Sequence, residues 1–264
     1  MHRIASRHNE RLRDVARLIA SSRERRKSGR CVLEGAHVIG VYCERVGVPE
    51  MLVVADDAVA GAEITQLVAR VPPARTFAVS RALFSELATL PPDVGALAVV
   101  TAPRAAPSVP GAFCLLLDGV QDPGNVGTMV RTAAAAGVDQ VVLSPRCAFA
   151  WSPKALRAGQ GAHFLTTLVE DTDLEAWSAR FRAAGGRVIA AVVDGAPSLH
   201  ATDLRGHVAI AIGSEGQGLS EPLLAAAEQR VTIPMAAGSE SLNAAAAAAV
   251  LLYESVRQRT AARR

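Results

Sequence analysis

The chain has 264 residues, enough for two compact domains, and its composition, half hydrophobic and 20% charged, excludes a disordered polymer. Aromatic residues make up only 4%, which argues against an RNA-binding platform built on rows of stacked Phe and Tyr. Its four cysteines form no C-x-x-C pair and no apolar run reaches the length of a membrane span, so a cytoplasmic protein with neither metal site nor membrane contact is expected, at a net charge of only +3.

That small charge is unevenly placed. From Arg3 to Arg30 arginines outnumber the acidic residues Glu10, Asp14 and Glu24. Such a segment suits a polyanion, because neutralised phosphates release condensed counterions; it also reads as a solvated, arginine-rich helix face. Residues 9–19 have helical spacing, with Leu12, Val15, Ala16 and Ile19 on one face. Cys31-Val32-Leu33 reads as a short strand and residues 35–46 as a helix. Residues 51–54 form an apolar strand, and Ile64, Leu67 and Val68 lie on the next helix. Residues 77–79 are a strand, Ser80 caps a helix running to Leu87, and residues 97–100 close the unit. The alternation predicts a small α/β domain over residues 1–101. Pro103, Pro107 and Pro110 then make 102–111 a semi-extended linker.

In the remaining part, 112–264, the alternation strengthens. Residues 113–117 form a near-continuous apolar run, as in a strand buried on both faces. A helix over 126–136 ends at Gly137, a natural residue to follow a helix C-terminus. Residues 141–143, 188–193 and 208–212 are further buried strands. Ser152-Pro153 and Ser220-Glu221-Pro222 mark helix starts with proline in the first turn, and a last helix spans 242–258. This is the pattern of an α/β fold with a parallel sheet.

Ligands of such sheets bind beyond the carboxyl ends of the strands, and three loops of unusual composition lie there. The first, 118–131, places Asn125, Gly127 and Arg131 in the order N-x-G-x-x-x-R where loop becomes helix. Asn125 is a candidate cap for that helix, and the pattern reads equally as a turn, a cap and a surface arginine. The second, 212–220, has the order G-x-x-G-x-G, which is not the dinucleotide fingerprint, and no P-loop lysine follows. Its Glu215 sits among glycines at a strand end, where a charge needs a partner, and Arg131 is the candidate. The third, 233–243, leads into six alanines, Ala244 to Ala249, with Ser241 and Asn243 placed to cap that helix or to bind a ligand.

In combination, the strings DPGNVGTMVRTAAAAG, IGSEGQGLS and IPMAAGSESLNAAAAAAVLLYE resemble the SpoU (TrmH-like) branch of the SPOUT RNA 2′-O-ribose methyltransferases. The first half, through Ile4-Ala5-Ser6-Arg7-His8-Asn9 and Cys31-Val32-Leu33-Glu34-Gly35, is similar to the L30e-like substrate-binding domain fused to such enzymes. The resemblance implies an L30e-like domain over 1–101 and a SPOUT domain over 112–264 tied in a deep trefoil knot. It implies S-adenosylmethionine as cofactor, held at Gly213, Ile233 and Leu242 with Glu215 and Ser241 nearby, and no metal. A homodimer packed through the C-terminal domain is implied as well. The reaction implied is attack of a ribose 2′-oxygen on the cofactor methyl, with Arg131, Asn125, Glu215 and Asn243 as the catalytic set. Relatives assign the arginine as general base, activated by a substrate phosphate. Since an arginine pKa above about 12 makes a neutral guanidine costly, the other role is to orient that phosphate and stabilise the developing oxyanion. Ribosomal RNA is favoured over transfer RNA, because shorter relatives without the first domain often act on transfer RNA. The alternatives are a transfer-RNA enzyme of the same type and a non-catalytic RNA-binding relative. A nicotinamide oxidoreductase is disfavoured by the missing fingerprint.

Overall fold

The computed structural model describes residues 1–89, 94–103, 105, 111–238 and 240–261, so most of the expected linker lies outside the described residues. The chain forms two compact units, one of residues 1–103 with 151–164, the other of residues 104–150 with 165–264.

The first unit carries a five-stranded mixed sheet in the order β1 (His2–Ile4), β4 (Thr76–Val79), β3 (Met51–Ala55), β5 (Ala96–Thr101), β2 (Arg30–Glu34). β1, β4 and β3 run parallel, while β5 pairs antiparallel with both β3 and β2. Helix α1 (Glu10–Ala20) is capped by Asn9 and buries Leu12, Val15 and Leu18 against Val53, Phe77 and Val99. Its buried face is shifted from the expected one: Ala16 is exposed, and Leu18 takes the core position.

The arginine-rich stretch continues into α2 (Ser22–Ser28), which the apolar pattern does not announce because its buried residue is Arg25. The Arg25 guanidinium donates to the carbonyls of Leu18 at 2.6 Å and Ile19 at 2.8 Å, satisfying orphan acceptors at the end of α1. Arg30 is bound bidentately by Asp14 at 2.8 and 3.2 Å. These two arginines are therefore structural, and the set exposed for a polyanion is smaller than the sequence suggests. Helices α3 (Ala36–Arg45), α4 (Ala62–Arg70) and α5 (Arg81–Leu87) complete the alternation, α5 capped by Ser80 as expected.

Helix α7 (Pro153–Gly159) begins at the expected Ser152-Pro153 cap but packs on β2, and Phe164 meets Tyr42 edge-on at 5.2 Å. Residues 151–164, which chain order assigned to the 112–264 domain, thus belong to the first unit.

The second unit is an all-parallel six-stranded sheet in the order β11 (Gln229–Val231), β9 (Arg187–Ala191), β10 (Val208–Gly213), β6 (Phe113–Asp118), β7 (Gln140–Leu143), β8 (Thr167–Val169). β6 is buried along its whole length, as its continuous apolar run requires. One face is covered by α8 (Leu174–Ala183) and α9 (Glu221–Ala226): Leu174, Trp177, Phe181 and Leu223 pack on Cys114, Leu116, Ala209 and Ala211. Helices α6 (Pro123–Ala135) and α10 (Ala244–Ala261) pack on each other, and α10 on β10. The alanines permit this close approach, Ala244, Ala245 and Ala248 being buried. Gly137, with φ +73°, follows α6 in the left-handed conformation expected of it. Strand β9 stops at Ala191, short of the expected Val193.

Among the described residues no helix is long and apolar enough to cross a membrane, and no group of three metal-ligating side chains occurs. Burial pushes the thiols of Cys31 and Cys114 up to about 12, so both behave as apolar core atoms rather than nucleophiles.

Candidate functional site

The chain builds β6, β7 and β8 outward on one side and returns to place β9, β10 and β11 on the other. Its order reverses between β6 and β10, the position where open parallel sheets bind ligands. The ladder between these strands ends at the pair Gly213 and Asp118.

Beyond it, the three loops meet through one side-chain amide. Asp122, not Asn125, is the N-cap of α6: its Oδ1 accepts from the Asn125 backbone N–H at 2.9 Å, and Pro123 takes the first helical position. The helix therefore starts three residues before the expected Val126, and the Asn125 side chain is released from capping. Its Nδ2 donates to Glu215 Oε1 in the second loop. Its Oδ1 accepts from Asn243 Nδ2 in the third loop at 3.3 Å. Asn243 Oδ1 in turn accepts from the N–H groups of Ala245 at 2.9 Å and Ala246 at 3.2 Å, capping α10, so that helix starts at Ala244 rather than at Leu242. Residues 90 and 118 positions apart in sequence are thus held by the two ends of one amide.

The partner of Glu215 is accordingly Asn125, and not Arg131 as the sequence suggested. Arg131 lies on α6 beyond Asn125, is exposed, and has no hydrogen bond or ion pair among the described residues. It is a guanidinium whose donors are all available to an incoming anion.

Beside this network is a cleft of about 450 Å³, and the five expected cofactor residues, Gly213, Glu215, Ile233, Ser241 and Leu242, all line it. A cleft of this size lies within the range that takes a small molecule. The 213–220 loop closes on itself: Ser214 and Gly218 exchange both backbone hydrogen bonds at 3.0 Å, and Gly218 adopts φ +67°. Gly213 packs so tightly on Gly218 that a Cβ there would fall on the Gly218 carbonyl. The cleft also exposes apolar side chains, Val193 at 55% and Leu242 at 40%, where a flat apolar group can displace water. Glu215 and Glu221 line it, and no Lys, Arg or His does among the described residues. This donor set fits a cationic ligand with an apolar part, such as a sulfonium bearing an adenine. It does not fit the pyrophosphate of a dinucleotide.

Three further residues serve the site without being expected there: Val193, Glu221 and, above all, Asp118. Asp118 is 2% exposed at the end of β6. Burial works to raise its pKa, but hydrogen bonds from Ser220 and Arg146, with the Arg146 charge, outweigh this and hold the carboxyl below its ordinary value. Its signal was available: a lone carboxylate ending an otherwise apolar strand needs buried partners.

An all-parallel sheet with a carboxylate-lined, glycine-rimmed cleft beyond the carboxyl ends of β9, β10 and β11 defines a cofactor-binding α/β protein. The chain belongs to the SpoU rRNA Methylase family, which it matches over residues 112–253. Among curated proteins it is 31% identical over 256 residues to the 23S rRNA (guanosine(2553)-2′-O)-methyltransferase RlmP of Bacillus subtilis, covering 96% of this chain and 98% of that one. It is 41% identical over 148 residues to an uncharacterized tRNA/rRNA methyltransferase of Synechocystis sp., covering 56% of this chain and about half, 54%, of that relative. Among solved structures it is similar to the SpoU methyltransferase AviRb of Streptomyces viridochromogenes in complex with AdoMet. That match has a TM-score of 0.86 and 27% identity and covers 96% of this chain and 99% of that one.

Proposed function

We propose that this protein transfers a methyl group from S-adenosylmethionine to a ribose 2′-hydroxyl of structured RNA, ribosomal RNA in preference to transfer RNA. The observation that carries the reading is the Asn125 amide joining Glu215 and Asn243 beside a cleft free of cationic side chains among the described residues. The preference for ribosomal RNA draws on the RlmP match, which extends over the first unit as well as the second.

The residues of the cleft bind and orient. Leu242, Val193 and Ile233 offer an apolar lining for an adenine, the closed Gly213–Gly218 turn offers backbone groups, and Glu215 and Glu221 favour a positive charge. Bound there, the cofactor supplies an electrophilic methyl group on a sulfonium. Asn125 fixes the position of Glu215 and the start of α6. Arg131, six residues further along that helix and so about 9 Å along its axis, holds the phosphate next to the target ribose and stabilises the negative charge that develops on the 2′-oxygen as it bonds to the methyl and its proton passes to solvent water. Alignment of the two reactants supplies much of the remaining acceleration.

The first unit serves in this reading as the L30e-like RNA-binding domain, with Arg7, Arg13 and Arg23 exposed and without ion pairs among the described residues. The second unit forms the knotted SPOUT domain and pairs with a second copy. Val250 and Tyr253, one turn apart on α10, are exposed at 41% and 51%, and they supply apolar area for that contact. The protein acts in the cytoplasm, where its RNA substrate is.

The test is transfer of a labelled methyl group to ribosomal RNA from cells lacking the protein, followed by mass-spectrometric mapping. A single nucleotide gaining one methyl on its ribose is the expected result. A methyl on a base, or none on any RNA, overturns the reading.

A further inference from the structure

Both ends of the Gly213–Ser220 loop meet one buried residue, Asp118, the first through its backbone and the second through its carboxylate. Gly213 faces Asp118 across the last rung of the β10–β6 ladder. At the other end, the Ser220 backbone N–H donates to Asp118 Oδ2 at 2.8 Å. Ser220 starts α9 without capping it through its side chain. The remaining oxygen, Oδ1, accepts from Arg146 Nη2 at 2.8 Å, in a pair whose side chains are 3% and 54% exposed respectively. Arg146 lies beyond β7 and its guanidinium packs over Gly119, whose φ is +70°.

We propose that Asp118 is a positioning residue for the cofactor cleft: by gripping Ser220 opposite Gly213, with Arg146 balancing its charge, it sets the width of the loop that carries Glu215 to Asn125. The inference rests on the cofactor reading of the cleft. Its logic is one of acceptors. A carboxylate receives Arg146 with one oxygen and the Ser220 N–H with the other, and the Ser220 hydroxyl adds a further hydrogen bond to it. An asparagine of the same shape offers one oxygen and one NH2, so it must present a donor to a donor on one side. The charged guanidinium is the stronger donor and takes the oxygen, leaving the Ser220 N–H facing an amide N–H, with only the Ser220 hydroxyl, which can turn from donor to acceptor, still partnered. The loop end is then released, while the strand that carries the substituted position stays buried.

Asp118→Asn should therefore weaken S-adenosylmethionine binding, read by calorimetry on the full-length protein, by about ten-fold or more, the size of a lost hydrogen bond to a charged group. Hydrogen exchange at the Ser220 amide should quicken in the same variant, measured without cofactor. Adding Arg146→Gln supplies a carbonyl that accepts from the side-chain amide introduced at position 118 and frees the oxygen of that amide for Ser220. The double variant should recover slow exchange at Ser220 and most of the lost affinity. A role confined to fold stability predicts instead a lower melting temperature with unchanged cofactor affinity in the folded single variant. Unchanged binding in D118N, or equal loss in the single and double variants, overturns the proposal. If the unsubstituted protein failed to bind the cofactor, the functional reading would fall, and the Ser220 exchange would still decide whether Asp118 is the clamp.

Discussion

Replacing Arg131 by Ala is expected to lower methyl transfer to RNA by about a hundred- to a thousand-fold, the size of losing one preorganised group at a developing oxyanion. The fold and cofactor affinity should stay nearly unchanged. The reason is the isolation of this side chain. Arg131 is exposed and has no partner among the described residues, so removing it leaves no buried acceptor unpaired and opens no cavity. It is also not among the residues lining the cleft. A guanidinium kept on a rigid helix without internal partners is a group waiting for an external anion. Single-turnover transfer, thermal melting and cofactor titration on the same preparation separate these effects. An active Arg131→Ala enzyme would remove the arginine from the mechanism.

Gly213→Ala is expected to weaken cofactor binding severely for the opposite reason: here everything is packed. The added Cβ would meet the Gly218 carbonyl and the Leu219 nitrogen, which are backbone atoms that no side-chain rotation can move aside. To admit it, the loop must part from the end of β10 and break the paired hydrogen bonds between Ser214 and Gly218. Glu215 would move with it and lose Asn125, and Ser220 would be pulled from Asp118. Affinity should drop by about a hundred-fold or more, corresponding to two or so hydrogen bonds to charged groups. The substitution leaves the first unit untouched, and RNA binding by the full chain should largely survive. Cofactor affinity within a few-fold of the unsubstituted protein would show that the loop does not define the cleft.

Much of this site was legible because its residue types are expensive anywhere else. Glycines, Asn125, Glu215, Ser241 and Asn243 gathered at the ends of buried strands mark backbone that approaches something closely. What the sequence did not settle were choices between residues of equal local merit. Asp122 and Asn125 can each cap a helix, and Pro123, best suited to the first helical position, decides for Asp122. That choice frees the Asn125 amide, and it replaces the expected Arg131–Glu215 ion pair with an amide–carboxylate hydrogen bond that leaves the Glu215 charge uncompensated among the described residues.

The strands β1, β8 and β11 are too short, at three residues each, to show a period. Helix α8, not among the expected elements, nonetheless has a signature, with Asp173 as cap and Leu174, Trp177 and Phe181 at helical spacing. The roles of Arg25 and Arg30 were hidden for a different reason. Whether an arginine faces a phosphate or a carbonyl is a property of packing, and no local pattern encodes it. The same holds for residues 151–164, whose place in the first unit rests on contacts with β2 and Tyr42 distant in sequence.

The most direct measurement is a titration of the purified protein with S-adenosylmethionine, with a nicotinamide dinucleotide in parallel. Saturable binding of the sulfonium at one site per chain, displaced by its demethylated product and absent for the dinucleotide, is the outcome required of a cleft lined by Glu215 and Glu221 without a cation among the described residues. Binding of the dinucleotide instead, or of neither, would contradict it.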